Sequence, residues 1–340
     1  MNMKRYGIII SPTADIYAGP GYTKLLNNGL TASSITDEGL FGNAGRILKE
    51  EGEWVFFLSS YGYSGYIARS NILPVDEMGL EKWSEDQKVI TGINTDVLTI
   101  PDVEGVRLIT LPRGAVVQKI EEIENGWTKV RLPDEREGFV SSSFLMEKYY
   151  SDELMRADAQ LLLSRQAHAQ ENKLTAVGGS EGFSFTEFLN RPDLPYNGSE
   201  EAFRQYLMNT AQGYLGVQYR WGGRSSCGID CSGLVHMSYL LCGLGVYRDA
   251  VIVDGYPLKR LELAFEDGRF SLSNLDSDIL RPGDTLYFPG HVAIYAGGGL
   301  YIHSTGKAGD RSVVHNSLRP GHNRFRQDLL DSMYAAAGIR

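Results

Sequence analysis

The sequence predicts a multidomain chain of β plus α+β class, with two small β-barrels followed by a helical connector and a C-terminal α+β domain. Three observations carry this. The first 147 residues contain an internal repeat. Residues 147–173 lack Gly and Pro and are rich in helix formers. The last third combines one strongly apolar helix with short β-prone runs. At 340 residues the chain is too long for one ordinary domain and long enough for two or three with real cores.

The repeat is read from aligned landmarks. Trp54, Gly65-Tyr66-Ile67 and Ser70 recur 73 positions later as Trp127, Gly138-Phe139-Val140 and Ser143. Asp15-Ile16-Tyr17 and Pro20 recur 81 positions later as Asp96-Val97-Leu98 and Pro101, so the first copy holds about eight extra residues, expected between Asn27 and Gly45. Short β-branched and aromatic runs broken by Gly, Pro and Asp indicate barrels of five or six strands, assigned to residues 1–77 and 78–147. Each tryptophan is expected either to plug its barrel or to meet a ligand. Residues 148–198 read as a helical connector and then, from Gly178 to Asn197, an ordered linker with exposed aromatics. The last domain, 199–340, opens with a helix from Glu200 to Tyr214 that carries Phe203, Tyr206, Leu207, Thr210 and Tyr214 on one side.

Composition excludes some functions. There are 33 basic against 42 acidic residues and no basic run, which argues against nucleic acid and anionic membranes as partners. The longest apolar stretch, Leu234 to Tyr247, is too short to span a bilayer and has polar breaks. Met1 to Ile10 lacks the apolar core of a secretory signal, since Ser11-Pro12 ends its short run. An odd cysteine count with one reactive candidate points the same way, to a reducing compartment. A cytoplasmic location is therefore expected, or an extracytoplasmic one if a leader has been removed.

The chemistry centres on Cys231. Leu234, Val235, Ser238, Leu241 and Cys242 share a face at helical spacing, and Cys231 lies on that stripe within the first turn. Unpaired N–H groups and the helix dipole there are expected to favour the thiolate and lower its pKa. His236 lies about 140° away around the helix and is a poor base for it. The plain alternative is that Cys231 is a small buried hydrophobe, as Cys242 is read to be; Cys227 has no clear role.

Two histidines follow on β-prone runs. His291 sits in Gly290-His291-Val292-Ala293-Ile294-Tyr295 and His303 in Leu300-Tyr301-Ile302-His303-Ser304, joined by Gly297-Gly298-Gly299. A three-residue glycine loop pairs Ala296 with Leu300 and puts both histidines on one sheet face, whereas a two-residue loop sends them to opposite faces. A helix-borne cysteine and two histidines on one face suit a thiol peptidase: the thiolate attacks, one imidazole moves the proton, and a third polar group orients it. Zinc held by Cys, His and His is the competing reading. No short-spaced ligand pair such as His-x-x-x-His accompanies these residues, so neither metal nor cofactor is expected.

Tyr219-Arg220-Trp221-Gly222-Gly223, Asp230-Cys231-Ser232-Gly233, Arg248-Asp249, Arg281-Pro282-Gly283-Asp284, Gly290 to Tyr295 and His303 together resemble the NlpC family of papain-like cell-wall cysteine peptidases. Within it, the likeness is to γ-D-glutamyl-L-diamino acid endopeptidases that carry two SH3-like domains before the catalytic one. The resemblance implies that Cys231 is the nucleophile, His291 the general base and acid, and His303 the orienting third member. It implies an oxyanion contact from Tyr219, substrate-pocket roles for Asp230, Ser232 and Arg248, and an Asp249 carboxylate that pairs with a free L-alanine ammonium. Where relatives often carry serine after that aspartate, this chain has Ala250. The resemblance further implies that the first SH3-like domain walls off the cleft, and that murein-derived peptides are the substrate. Alternatives from the residues are amidase or acyltransferase chemistry on the same core, or a wall-peptide-binding protein with weak activity.

Overall fold

The computed structural model describes residues 5–171 and 178–340. They divide into two compact units, Met1–Leu163 with Trp221–Cys227, and Ser164–Arg220 with Gly228–Arg340. No helix among the described residues is long and apolar enough to cross a membrane.

In the first unit the repeat is repeated in three dimensions. The first copy contains β1 (Tyr6–Ile9), β2 (Thr13–Tyr17), a separate hairpin β3 (Thr23–Leu25)–β4 (Thr31–Ser33), β5 (Ile35–Leu40), β6 (Ala44–Glu51), β7 (Trp54–Ser59), β8 (Ser64–Ala68) and β9 (Ile72–Val75). The second contains β10 (Gln87–Ile90), β11 (Asn94–Leu98), β12 (Arg107–Pro112), β13 (Val116–Ile123), β14 (Trp127–Arg131), β15 (Glu137–Ser141) and β16 (Leu145–Glu147). The sheets run β5-β2-β8-β7-β6-β1-β9 and β12-β11-β15-β14-β13-β10-β16, the same neighbours in the same order. Each has seven strands rather than five or six. A 3₁₀ turn at Arg69–Asn71, matched at Ser142–Phe144, returns the chain to pair a last strand with the first.

Bulges recur as well, at Ile16/Tyr17 and Ile47/Lys49 in one copy and at Val97/Leu98 and Lys119/Glu121 in the other. The repeated glycine has a steric cause. A Cβ at Gly65 would lie 2.4 Å from Ile16 Cγ2 and 2.8 Å from the Tyr17 carbonyl; at Gly138 it would lie 2.7 Å from Val97 Cγ1 and 2.8 Å from the Leu98 carbonyl.

Period-2 alternation buries one face of each sheet. Ile9, Ile16, Val55, Phe57, Ile67 and Ile72 form one core. Val97, Leu111, Val117, Val130 and Val140 form the other, joined by Phe41 from the first copy. The copies are tied by Val116 N–H to the Phe41 carbonyl (2.8 Å) and by Trp83 Nε1–H, at the end of α1 (Glu77–Trp83), to the Gly42 carbonyl (2.9 Å).

Two expectations change here. The extra residues of the first copy lie between β2 and β5, starting at Ala18 rather than Asn27, because they form their own hairpin. Neither Trp54 nor Trp127 plugs a core. Both open a strand at intermediate exposure, and Trp54 packs against Tyr17 and Tyr22 with ring centroids 5.5 and 4.9 Å away.

Residues 221–227 also belong to this unit. Arg224 is fully buried, its N–H donating to Glu38 Oε2 (2.9 Å), Nε to the Glu38 carbonyl (3.0 Å) and Nη2 to Asn43 Oδ1 (3.2 Å). Its guanidinium lies 4.2 Å from the Tyr61 ring centroid, and the Tyr61 hydroxyl donates to Asp37.

The second unit takes up the chain within α2 (Ala159–Glu171). It adds α3 (Phe185–Leu189), α4 (Glu200–Gln212) and α5 (Cys231–Leu241), the last two capped by Ser199 and Asp230. Every residue of α5 is buried, as expected of a helix apolar on most of its circumference. An antiparallel sheet lies against it: β17 (Lys259–Arg260), β18 (Thr285–Phe288), β19 (His291–Gly297), β20 (Leu300–Ser304), β21 (Val313–Ser317) and β22 (Ala335–Gly338), ordered β17-β22-β18-β19-β20-β21. The helix α6 (Gln327–Ser332) precedes β22.

The aromatics expected to be exposed in the linker are not. Phe185, Phe188 and Tyr196 are buried around Phe203 of α4, at centroid distances of 5.4, 5.7 and 5.3 Å, because burial of these rings outweighs the loop-like composition around them. Arg281 to Asp284 is a structural corner. Asp284 Oδ2 accepts from Arg281 N–H (2.9 Å) and Arg340 Nη2 (2.7 Å), and Oδ1 accepts from Arg204 Nη1 (3.1 Å).

Candidate active site

Cys231 is the first residue of α5, and Asp230 is its N-cap, with Oδ1 accepting from Gly233 N–H at 2.6 Å. Arg248, 1 % exposed, holds that carboxylate with both terminal nitrogens: Nη1 to Oδ1 at 3.0 Å and Nη2 to Oδ2 at 3.1 Å. Arg248 Nη1 also donates to Ser232 Oγ (2.9 Å), and Ser232 Oγ donates to Asp230 Oδ1 (3.2 Å). Three residues expected to line the substrate pocket thus form one buried, charge-assisted cluster at the start of the helix.

The thiol does not have the lowered pKa expected from its place on the helix. Burial, then the Asp230 charge, pushes it up to about 12 against the backbone N–H groups of Val292 and Ser232 and the Arg248 charge. Two reasons are physical. Desolvation of an anion outweighs a helix terminus, and the capping carboxylate puts negative charge at the same terminus.

The hairpin places the histidines together by a different loop from the one expected. Tyr295 pairs with Tyr301 and Ile294 with Ile302, but Gly297 pairs with Leu300, leaving Ala296 as a bulge. The turn is Gly298-Gly299, both with positive φ (61° and 86°). The bulge adds back the residue that a two-residue loop lacks, so the register is the one that puts His291 and His303 on one face. His291 Nε2 and His303 Nδ1 are 2.7 Å apart, and His303 Nε2 is 2.8 Å from Asn316 Oδ1. Burial holds His291 down at about 3 and His303 at about 4, the latter against the Asn316 hydrogen bond. Both rings are neutral at neutral pH.

Asn316 is the residue that sequence reasoning missed. It lies on β21, one strand beyond His303, 13 positions on. The alternation Val314, Asn316 beside a histidine strand is its only signal.

Tyr219 is half-buried. Its phenol is pushed up by burial first, then by the Cys231 and Asp230 groups. Asp249 is also half-buried and borders a small pocket with Val235, Tyr247, Val251, Tyr256 and Val292. Val292 ties this pocket to the thiol, since its N–H reaches Cys231. His236 is turned away, with Nδ1 2.9 Å from the Val246 carbonyl, and Cys242 is a fully buried hydrophobe at the helix end. Cys227 is exposed. Among the described residues no group of three His, Cys, Asp or Glu side chains is arranged to hold a metal ion.

A buried thiol at a helix start, with a hydrogen-bonded imidazole pair beside the same strand, defines a hydrolase of the cysteine peptidase class. Comparison with known proteins agrees. Residues 216–324 match the NlpC/P60 family. The chain is 30% identical over 337 residues to Dipeptidyl-peptidase 6 of Lysinibacillus sphaericus, covering 98% of each chain. It belongs to the NlpC/P60 family. A Gamma-D-glutamyl-L-lysine dipeptidyl-peptidase of Bacillus cereus is 31% identical over 127 residues, 35% of this chain and 32% of that relative. Among solved structures, an NlpC/P60 family protein from Bacillus cereus superposes with a TM-score of 0.64 at 16% identity, covering 98% of this chain and 99% of the other. The shared fold therefore extends through the β-rich N-terminal part.

Proposed function

We propose that this chain cuts the γ-D-glutamyl–diamino acid bond of murein peptides that carry a free N-terminal L-Ala, releasing L-Ala-D-Glu. The observation that carries this is the hydrogen-bonded His291–His303 pair, with His291 on the strand whose Val292 N–H reaches Cys231, in a chain with end-to-end likeness to a dipeptidyl-peptidase. We read its N-terminal copies as SH3-like modules and its second unit as a papain-like domain.

Cys231 is the nucleophile. With the thiol high and His291 low, the resting pair is neutral, so the proton passes to His291 as sulfur attacks the γ-carbonyl rather than beforehand. The Cys231 N–H at the helix start and the Tyr219 hydroxyl receive the oxyanion. His291 then returns its proton to the departing amine of the diamino acid. Water, deprotonated by the same ring, cleaves the thioester. His303 orients His291. Asp230, Ser232 and Arg248 form the floor of the substrate pocket. Asp249 meets the substrate ammonium, with Ala250 contributing no second polar contact.

The test is product analysis by mass spectrometry with L-Ala-γ-D-Glu-L-Lys, its diaminopimelate analogue and the N-acetylated form of each. Free peptides should release L-Ala-D-Glu. N-acetylated ones should react at least ~100-fold more slowly, since blocking the amine removes the positive charge that meets Asp249 in a partly desolvated pair, a loss of about 2–5 kcal/mol. Equal kcat/KM for free and blocked peptides, or an unchanged preference in Asp249→Asn, rules out recognition of the amine.

A further inference from the structure

Two neutral imidazoles joined by one hydrogen bond can place their protons in two ways, and only one leaves a base for a thiol. Here the bond joins His291 Nε2 to His303 Nδ1, and the other nitrogen of His303 faces an amide oxygen, Asn316 Oδ1, at 2.8 Å. An amide oxygen only accepts, so His303 Nε2 carries the proton. A neutral ring carries one, so His303 Nδ1 is an acceptor and His291 Nε2 must be the donor. The lone pair of His291 is thereby left on Nδ1, the ring nitrogen not engaged with His303. Turning the Asn316 amide over reverses every step. Its Nδ2 would donate to His303 Nε2, His303 Nδ1–H would donate to His291 Nε2, and the His291 proton would occupy Nδ1, leaving no base.

We infer that Asn316 is a positioning residue that sets the tautomers of both histidines and so makes His291 Nδ1 the proton acceptor; this rests on the thiol-peptidase reading above. The sheet builds the relay. His303 pairs with Val314, and Asn316 is the next residue on the same face of β21, so the three groups cross β19, β20 and β21 on a diagonal. Asn316 is 8% exposed and His303 fully buried, so bulk water does not compete for the bond. The charged and titratable groups felt by the two rings are Asp230, Arg326, Asp328 and His315. Arg326 and Asp328 are bound to each other, at 2.8 and 2.7 Å, so Asp328 does not replace Asn316 as the acceptor.

The test uses the full-length chain with ¹⁵N-labelled histidine, near neutral pH. NMR should find His291 and His303 both as Nε2–H tautomers. An Nδ1–H form of either ring overturns the inference, whatever the activity. Asn316→Ala should lose the fixed His303 tautomer and lower kcat on the order of 10²-fold with KM little changed. That is below the roughly 10⁴ lost when a serine triad is left with the wrong tautomer, because the freed ring can still exchange into the right one. Asn316→Asp accepts the same proton, so it should keep both Nε2–H tautomers and recover most of kcat. If Asn316→Ala and Asn316→Asp lose activity equally while both tautomers stay as in wild type, Asn316 has only a structural role. Should the alanine variant not fold, the wild-type spectrum and the aspartate variant still decide. Failure of the peptidase reading has a separate signature: full hydrolysis in Cys231→Ala.

Discussion

At the scale of single residues, the reactive groups here are tuned by burial more than by their neighbours. Cys231, His291 and His303 stand out in the sequence because their types and spacing match a chemistry, but their protonation does not, because desolvation depends on what packs around them. Asn316 was hidden for the same reason: only the strand register brings it to His303. Three outcomes follow. Cys231→Ala should abolish hydrolysis with an unchanged circular dichroism spectrum, since sulfur supplies the nucleophile and little packing; loss of a nucleophile of this kind removes on the order of 10⁴–10⁶ in kcat. With the thiol near 12, iodoacetamide alkylation of Cys231 in a Cys227→Ser background should keep rising about tenfold per pH unit from about pH 7 to 10. A plateau near neutrality would mean that the thiolate is already formed. The histidines also make stability depend on pH. The unfolded rings take up protons below about 6.5 and the folded ones only near 4 and 3, so stability is full above 6.5 and falls as pH drops through that window. Denaturant midpoints from about pH 7 to 4.5 should fall less in His291→Gln, if folded, than in wild type.

At the scale of the element, the hairpin β19–β20 shows how much of a site can depend on one count. The odd glycine loop was legible as a condition for the histidines to meet, but not the means, since a three-residue loop and a two-residue turn with a bulge give the same pairing. Their equivalence is testable by deletion. Removing Gly298 lets Ala296 pair with Leu300 across a two-glycine turn, which keeps His303 opposite Ala293 and His291 on the same face. That variant should retain kcat/KM within about tenfold. Removing Gly298 and Gly299 together forces Tyr295 against Leu300 and slips the register by one, turning His303 to the other face. Activity should then fall by at least ~10³, the scale on which proton transfer is lost. Equal activity in the two deletions would show that the sheet, not the turn, sets the register.

At the scale of the whole molecule, the repeat was readable because glycine and tryptophan landmarks recur at fixed offsets, and the sheets keep the same strand order. The membership of residues 221–227 was not readable. Tyr219 to Gly223 reads as a local motif before the nucleophile, yet Trp221 to Cys227 belong to the first unit, held by Arg224 among Asp37, Glu38, Asn43 and Tyr61. Nothing in local sequence announces a pairing 186 positions apart. Its energetics can be isolated. Arg224, Asp37 and Glu38 are all fully buried, so Arg224→Ala removes the guanidinium 3.9 Å from Asp37 together with its bonds to the Glu38 carbonyl and Asn43, at a cost of about 3–5 kcal/mol. Arg136→Ala, which breaks an exposed pair with Asp134, should cost at most about 1 kcal/mol. The desolvation of all three charges also has to be counted. If it outweighs their attraction, replacing them together as Arg224→Met, Asp37→Asn and Glu38→Gln should recover most of what Arg224→Ala loses. Urea denaturation followed by tryptophan fluorescence separates the cases. Arg224→Ala matching Arg136→Ala would mean that the cluster does not hold the loop, and a triple variant as unstable as Arg224→Ala would mean that the charged interactions themselves, not relief of buried charge, stabilise the unit.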